Sequence, residues 1–266
     1  MRTSKALEES RGFTVRRIPA LRPLGWLGRG WRDLDRCPLP GLLHGAAATL
    51  FGALLLVLAR DRFWLLAGAF SGFLIVAPLL ATGLYNVSRA LERGRPAGLG
   101  SALAAWRPDD ARLIRFGVLL ALAGTGWVLT SAALITGFAG APVDKPADFL
   151  RVVVLAEKGY LFETWMLLGG VMAAPVFASS VVALPLLLDR RISVLGAVLT
   201  SWRVVMEHPL PMALWAALIM GLTAIGMATM LVGLVIVVPW LAHASWHAYR
   251  DLVDSANLES QPTRSW

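Results

Sequence analysis

The sequence predicts an all-α polytopic membrane protein. Six transmembrane helices are expected in three parallel repeats, each an interfacial amphipathic helix followed by two spans, with both termini on the inner side. Three observations lead there. Hydrophobic residues make up 57% of the 266 and charged residues only 16%, with mean hydropathy +0.64. A soluble domain is about 45–50% apolar and about 25% charged. The apolar residues gather into charge-free runs long enough to cross a bilayer, and the cations gather at alternate ends of those runs. This composition excludes a soluble enzyme, a disordered chain and a secreted disulfide scaffold.

A span requires about 20 mainly apolar residues to cross a hydrocarbon core about 30 Å thick. Residues 41–59 carry no charge and stop at Arg60-Asp61-Arg62. Residues 63–88 are again uncharged and end at Arg89. Residues 116–143 form the third run, with the helix expected to stop near Gly137. Residues 159–188 are apolar except for Glu163. Residues 209–249 then contain no Asp, Glu, Lys or Arg. A single helix of that length would reach about 60 Å, twice the core. A hairpin with its turn near residues 221–230 resolves the excess and brings the count to six.

Orientation follows the cations. With the N-terminus inside, the N-terminal arm, the 89–115 and 189–208 loops and the tail hold 20 of the 25 Lys and Arg. Only Arg60, Arg62, Lys145, Arg151 and Lys158 fall outside, which matches the positive-inside rule. The net charge of +8 is therefore an orientation signal with attraction to anionic headgroups, and nucleic acid is not an expected partner. Residues 1–21 read as a disordered basic cytoplasmic arm and 255–266 as a frayed tail. The arm lacks the apolar stretch of a signal peptide. The lone Cys37 excludes an intramolecular disulfide.

An internal repeat lies beneath the hydropathy. Trp31-Arg32 with Pro38-Leu39-Pro40 recurs, 171 residues on, as Trp202-Arg203 with Pro209-Leu210-Pro211, and Trp106-Arg107-Pro108 is a fainter copy. Pro78 with Tyr85 and Arg89 matches Pro239 with Trp246 and Arg250, and Pro175 opens the middle copy. Repeats are expected at 22–95, 96–191 (with an external loop at about 138–160) and 192–254. Two spans per unit give every copy the same orientation, so the repeats are parallel. The Trp-Arg pairs 31/32, 106/107 and 202/203 are the expected interfacial anchors. Prolines 78, 175, 185 and 239 are expected to kink spans. Glycines 68, 72, 124, 169, 170 and 233 are expected to permit close helix packing.

Few residues carry chemistry. His243 and His247 stand at i, i+4 on the last span, a metal-ligand spacing, with His44 on the first span as a further candidate. No carboxylate or Cys pair supports them on that helix, so polar packing is the preferred reading and no cofactor is expected. Haem or metal is the subordinate reading. Glu163 is the single carboxylate inside an apolar run, a default candidate for an ion or proton pathway, although it lies near water. Asn86, Tyr85 and Arg89 are the remaining polar candidates, with headgroup anchoring as the plainer alternative. No nucleophile elbow, H-E-x-x-H, C-x-x-C or phosphate loop occurs, and no enzyme is expected. Residues 139–160 form the one long external connection, in which residues 151–158 suggest a short helix or strand.

Several short motifs occur together along the chain. They are Gly30-Trp31-Arg32-Asp33-Leu34, Gly83-Leu84-Tyr85 with Ser88-Arg89-Leu91-Glu92, Phe177-Ala178 with Leu184-Pro185, and Val238-Pro239, His243-Ala244, Trp246-His247, Tyr249-Arg250. Their joint pattern, between residues 22 and 252, resembles a bacterial family of predicted integral membrane proteins, the domain-of-unknown-function 2189 family. The resemblance implies a polytopic inner-membrane protein and brings no reaction or catalytic residue with it. Two functional expectations remain beside it. One is a non-enzymatic scaffold, assembly factor or accessory subunit of a membrane complex, respiratory complexes included, with other subunits as partners. The other is a small-molecule transporter or channel.

Overall fold

The computed structural model describes residues 2–58, 60–69, 81–105, 111–156 and 159–254. The helices are α1 (Arg2–Arg11), α2 (Arg22–Arg36), α3 (Pro38–Leu58), α4 (Thr82–Glu92), α5 (Leu99–Ala104), α6 (Ala111–Phe138), α7 (Pro146–Phe149), α8 (Leu161–Ser180), α9 (Ala183–Asp189), α10 (Val194–Glu207), α11 (Pro209–Ala228) and α12 (Leu234–Leu252). Residues 63–69 are also helical. A two-residue antiparallel ladder joins β1 (Thr14–Val15) to β2 (Val253–Asp254).

Four helical stretches among the described residues are long and apolar enough to cross a membrane: Pro38–Leu58, Ala111–Phe138, Leu161–Asp189 and Pro209–Ala228. Their exposed side chains are large and apolar, including Leu50, Leu58, Leu122, Leu129, Leu167, Leu210 and Met220. In water such a surface would drive association, whereas lipid solvates it. The second expected span includes residues 70–80, which lie outside the described residues, as do Pro78 and Gly72. Helix α12 occupies the sixth expected span. From His243 to Asp251 its sequence turns polar, so its charge-free apolar part is only half a bilayer long.

Local chemistry accounts for the boundaries. Pro38 opens α3 and Pro209 opens α11, where the missing N–H costs nothing and the fixed φ suits a first turn. The turn between α11 and α12 spans residues 229–233, at the late edge of the expected window. Met230 and Leu231 adopt φ of 55° and 69° there, and Thr229 Oγ1 accepts the Gly233 amide at 2.8 Å. Pro175 and Pro239 lie inside continuous helices. At Pro185 the absent N–H leaves the Val181 carbonyl without its helical donor, and the chain breaks between α8 and α9. The Val182 amide turns to Ser201 Oγ at 3.1 Å.

The chain divides into two compact units, Met1–Thr49 with Pro78–Phe116 and Phe177–Trp266, and Leu50–Ala77 with Gly117–Val176. The first is built around α12, whose Val237, Leu241, Ala242, Ala244, Trp246, Ala248 and Tyr249 are buried. Helix α2 closes on it at Gly30, where an added Cβ would fall 2.6 Å from the Ala244 nitrogen. Helix α3 closes on it at Gly45, where a Cβ would fall 2.1 Å from the Val235 carbonyl oxygen. Trp26 and Trp215, both fully buried, meet edge-to-face at 5.5 Å. The N-terminal arm departs from the expected disorder. Helix α1 packs on α10, and the Glu9 carboxylate accepts the Ser193 amide (3.2 Å) and hydroxyl at the start of α10. Arg203 donates to the Ser10 and Phe13 carbonyls at 2.7 and 2.6 Å. These partners lie some 190 positions away, beyond the reach of local composition.

The second unit is held by aromatic rings. Phe63 stacks on Phe149 at 5.2 Å, Phe149 meets Trp165 at 5.4 Å, and Trp165 Nε1 donates to Ser131 Oγ at 2.6 Å. The connection after α6 is docked onto this cluster by Val153, which is 1% exposed. Its helical turn begins at Pro146 and continues as a π-turn to Val154, earlier than the expected 151–158, because Asp148 accepts the Lys145 and Asp144 amides. Gly169 lies against the Trp127 ring (3.0 Å to an added Cβ) and Gly68 3.9 Å from Val128, as close packing requires, whereas a Cβ at Gly170 would meet nothing within 4 Å.

Candidate functional site

From His243 to Asp251, α12 alternates small residues with polar ones: His-Ala-Ser-Trp-His-Ala-Tyr-Arg-Asp. The small residues let neighbouring backbones approach, and the polar ones then face partners on α2, α4 and α9. The result is a layer of hydrogen-bonded charges within the first unit.

The most buried carboxylate of the layer is Asp189, at the end of α9. Its carboxylate, 1% exposed, forms an ion pair with Arg89 (Nε at 3.1 Å) and accepts hydrogen bonds from Arg93 Nη2 at 3.2 Å, Arg190 Nε at 3.1 Å and the Tyr249 hydroxyl at 2.9 Å. Arg89 itself is 3% exposed. A charge taken out of water persists only when it is paired and its remaining lone pairs are filled, and that is the arrangement here. Beside it, Glu92 on α4 accepts Trp246 Nε1 and Arg250 Nε, each at 2.9 Å.

A second chain of hydrogen bonds crosses from α2 to α12. His247 Nε2 lies 2.8 Å from Asp33 Oδ2, and Ser88 Oγ lies 2.7 Å from His243 Nδ1. Burial opposes ionisation of Asp33, yet the bonds from His247 and Ser88 outweigh it and hold its carboxyl below the ordinary range. His243 Nε2 is fully buried and has no hydrogen-bond partner among the described residues.

At the far end of α12, Asp251 accepts Arg22 Nε at 2.6 Å, Trp26 Nε1 at 2.9 Å and Arg29 Nη1 at 3.0 Å, with Arg29 Nη2 closing the fork. Burial raises its pKa, but the hydrogen bonds from Arg29, Arg22 and Trp26 prevail and bring it down to about 2. Trp240 Nε1 reaches the Leu27 carbonyl at 2.8 Å, so α2 is fastened to α12 along its length.

The candidates named from sequence divide between this layer and other places. Arg89 and His243 belong to it, and Tyr85 is buried beside it with a hydrogen bond to Ser245. Asn86 donates to the Ser101 carbonyl at 2.6 Å and ties α4 to α5. His243 and His247 share a helix face but serve different partners, and His44 Nδ1 is engaged by the Pro40 carbonyl at 2.7 Å. Among the described residues no three His, Cys, Asp or Glu are grouped to hold a metal ion. Glu163 is exposed in the first turn of α8, in the second unit. Trp31 and Trp202 stand at exposed edges of α2 and α10. Trp106 and Arg107 lie outside the described residues. Asp33, Glu92, Asp189 and Asp251 are not among the site candidates that the sequence singles out. Their signal was an acid adjoining Arg where a span ends, as in Glu92-Arg93, Asp189-Arg190 and Arg250-Asp251.

Residues 65–189 fit the model of the domain-of-unknown-function 2189 family, described as a predicted integral membrane protein. No curated protein and no solved structure matches.

Proposed function

We propose that this chain, an integral membrane protein carrying the domain-of-unknown-function 2189 segment at residues 65–189, is a non-enzymatic scaffold, assembly or accessory subunit of a bacterial inner-membrane complex. In this reading six spans form three parallel repeats with both termini in the cytoplasm, and anionic lipid and neighbouring subunits are its partners. The observation that carries it is Asp189 held at once by Arg89, Arg93, Arg190 and Tyr249. A transport group must release what it binds, whereas a carboxylate saturated on both oxygens is built to stay still.

The same logic repeats at the other span ends. Glu92 of the first repeat takes Trp246 and Arg250 of the third. Asp189 of the second takes Arg89 and Arg93 of the first, and Asp251 of the third takes Arg22, Trp26 and Arg29 of the first. Each repeat is thus tied at its inner end to another, which suits a rigid platform.

Native pull-down after gentle detergent extraction, with mass spectrometry and a visible spectrum on the same sample, tests this reading. Stoichiometric membrane-protein partners are expected. Recovery of the chain alone at native expression levels overturns it, and solute flux in proteoliposomes would then favour a transporter or channel. A Soret band or bound metal that disappears in His243→Asn would favour haem or metal binding through His243.

A further inference from the structure

The repeat-equivalent positions Trp31-Arg32 and Trp202-Arg203 are put to opposite uses. Arg203 is consumed inside the protein: it donates to the Ser10 and Phe13 carbonyls and pairs with Glu207 at 3.1 Å. Trp202 Nε1 is likewise taken, by Ser179 Oγ at 2.9 Å. On α2 the corresponding arginine turns outward. Arg32 is exposed, Arg36 is exposed one helical turn further on, and neither forms an ion pair among the described residues.

The rest of that face has the character of a lipid contact. Leu21 (67% exposed), Leu24 (51%) and Trp31 (47%) lie along one side of the arginines, and Leu39 continues the apolar edge into α3. Trp31 is fixed in place by an edge-to-face contact with Trp240 at 5.3 Å. Asp35 is the one acid on this face. Two guanidiniums a turn apart match the oxygens of a phosphodiester, and the flanking Trp and Leu match its glycerol and acyl carbons. A free phosphate would have no use for the apolar side.

We propose that the exposed face of α2 binds one anionic phospholipid, with its phosphate held by Arg32 and Arg36 and its acyl region against Leu24 and Trp31. The site belongs to the first repeat alone, because the third has spent the equivalent arginine on the N-terminal arm. It rests on the membrane character of the chain and is independent of the scaffold reading.

The test is native mass spectrometry of the detergent-purified full chain titrated with dioleoyl phosphatidylglycerol and, separately, with dioleoyl phosphatidylcholine. Wild type is expected to retain one phosphatidylglycerol in preference to phosphatidylcholine. The pair Arg32→Ala with Arg36→Ala should weaken that retention about 30-fold, each arginine near a surface contributing about a factor of five. Arg203→Ala should leave it unchanged, and Asp35→Asn should strengthen it. The side chains of Arg32, Asp35 and Arg36 are exposed, so an unaltered unfolding midpoint verifies that their variants fold. Equal retention by wild type and the double variant, an equal loss in Arg203→Ala, or displacement of the lipid by an equimolar amount of inorganic phosphate overturns the proposal.

Discussion

Asp189→Ala is the sharpest perturbation available in the polar layer. It removes the carboxylate from Arg89, which is 3% exposed, and at the same time from Arg93, Arg190 and the Tyr249 hydroxyl. Hydrogen bonds to a charged group contribute about 1.5–3 kcal/mol each, but the three from Arg93, Arg190 and Tyr249 share one acceptor and do not add. Stranding a buried guanidinium sets the scale, about 3–5 kcal/mol. Glu92→Ala is the internal comparison. Its pair with Arg250 is about one-third exposed on both sides and contributes about 0–1 kcal/mol after solvent screening, so the chief loss is the acceptor for Trp246 Nε1. That variant should cost about 1–2 kcal/mol. Equilibrium unfolding of both variants in mixed detergent, read by tryptophan fluorescence, measures the difference. An Asp189→Ala variant within about 1 kcal/mol of wild type would refute the reasoning, as would a Glu92→Ala variant equally damaged.

Three further outcomes are expected. Asp251 has its pKa depressed to about 2 from an ordinary 3.8, so its stabilisation is present above pH 3.8 and is lost as the pH falls toward 2. Unfolding midpoints measured across that window should decline in wild type and flatten in Asp251→Asn. Gly30→Ala and Gly45→Ala each place a Cβ against α12 backbone and should destabilise by about 1–3 kcal/mol, whereas Gly28→Ala, with nothing within 4 Å, should not; thermal unfolding of the three decides this. Arg203→Ala removes the donors to the Ser10 and Phe13 carbonyls, and hydrogen exchange across residues 5–15 should quicken while exchange in α12 stays slow.

The legible parts of the fold were those written in local sequence. Charge-free runs marked the long helices, Pro38 and Pro209 marked their starts, and excess length foretold the turn before α12. Tertiary partners were not legible. Gly30 and Gly45 look like any other glycine until Ala244 and Val235 are brought against them. Glu9 and Arg203 fasten the arm across nearly the whole chain, so a polar segment that reads as disordered becomes a helix. Within the site, the i, i+4 spacing of His243 and His247 was visible, but their partners Ser88 and Asp33 come from other helices and divide the pair between two tasks. The span-end acids were seen as charges to be counted, because composition records sign and position and says nothing of which arginine lies opposite.

The proposed topology, with this layer on the cytoplasmic side, is open to direct test. In a Cys37→Ser background, single cysteines at the exposed positions Asp35, Arg95 and Tyr160 would be treated with a membrane-impermeant maleimide in right-side-out and inverted vesicles. Asp35→Cys and Arg95→Cys are expected to react only in inverted vesicles and Tyr160→Cys only in right-side-out ones. Labelling of Asp35→Cys and Tyr160→Cys from the same side would contradict that topology.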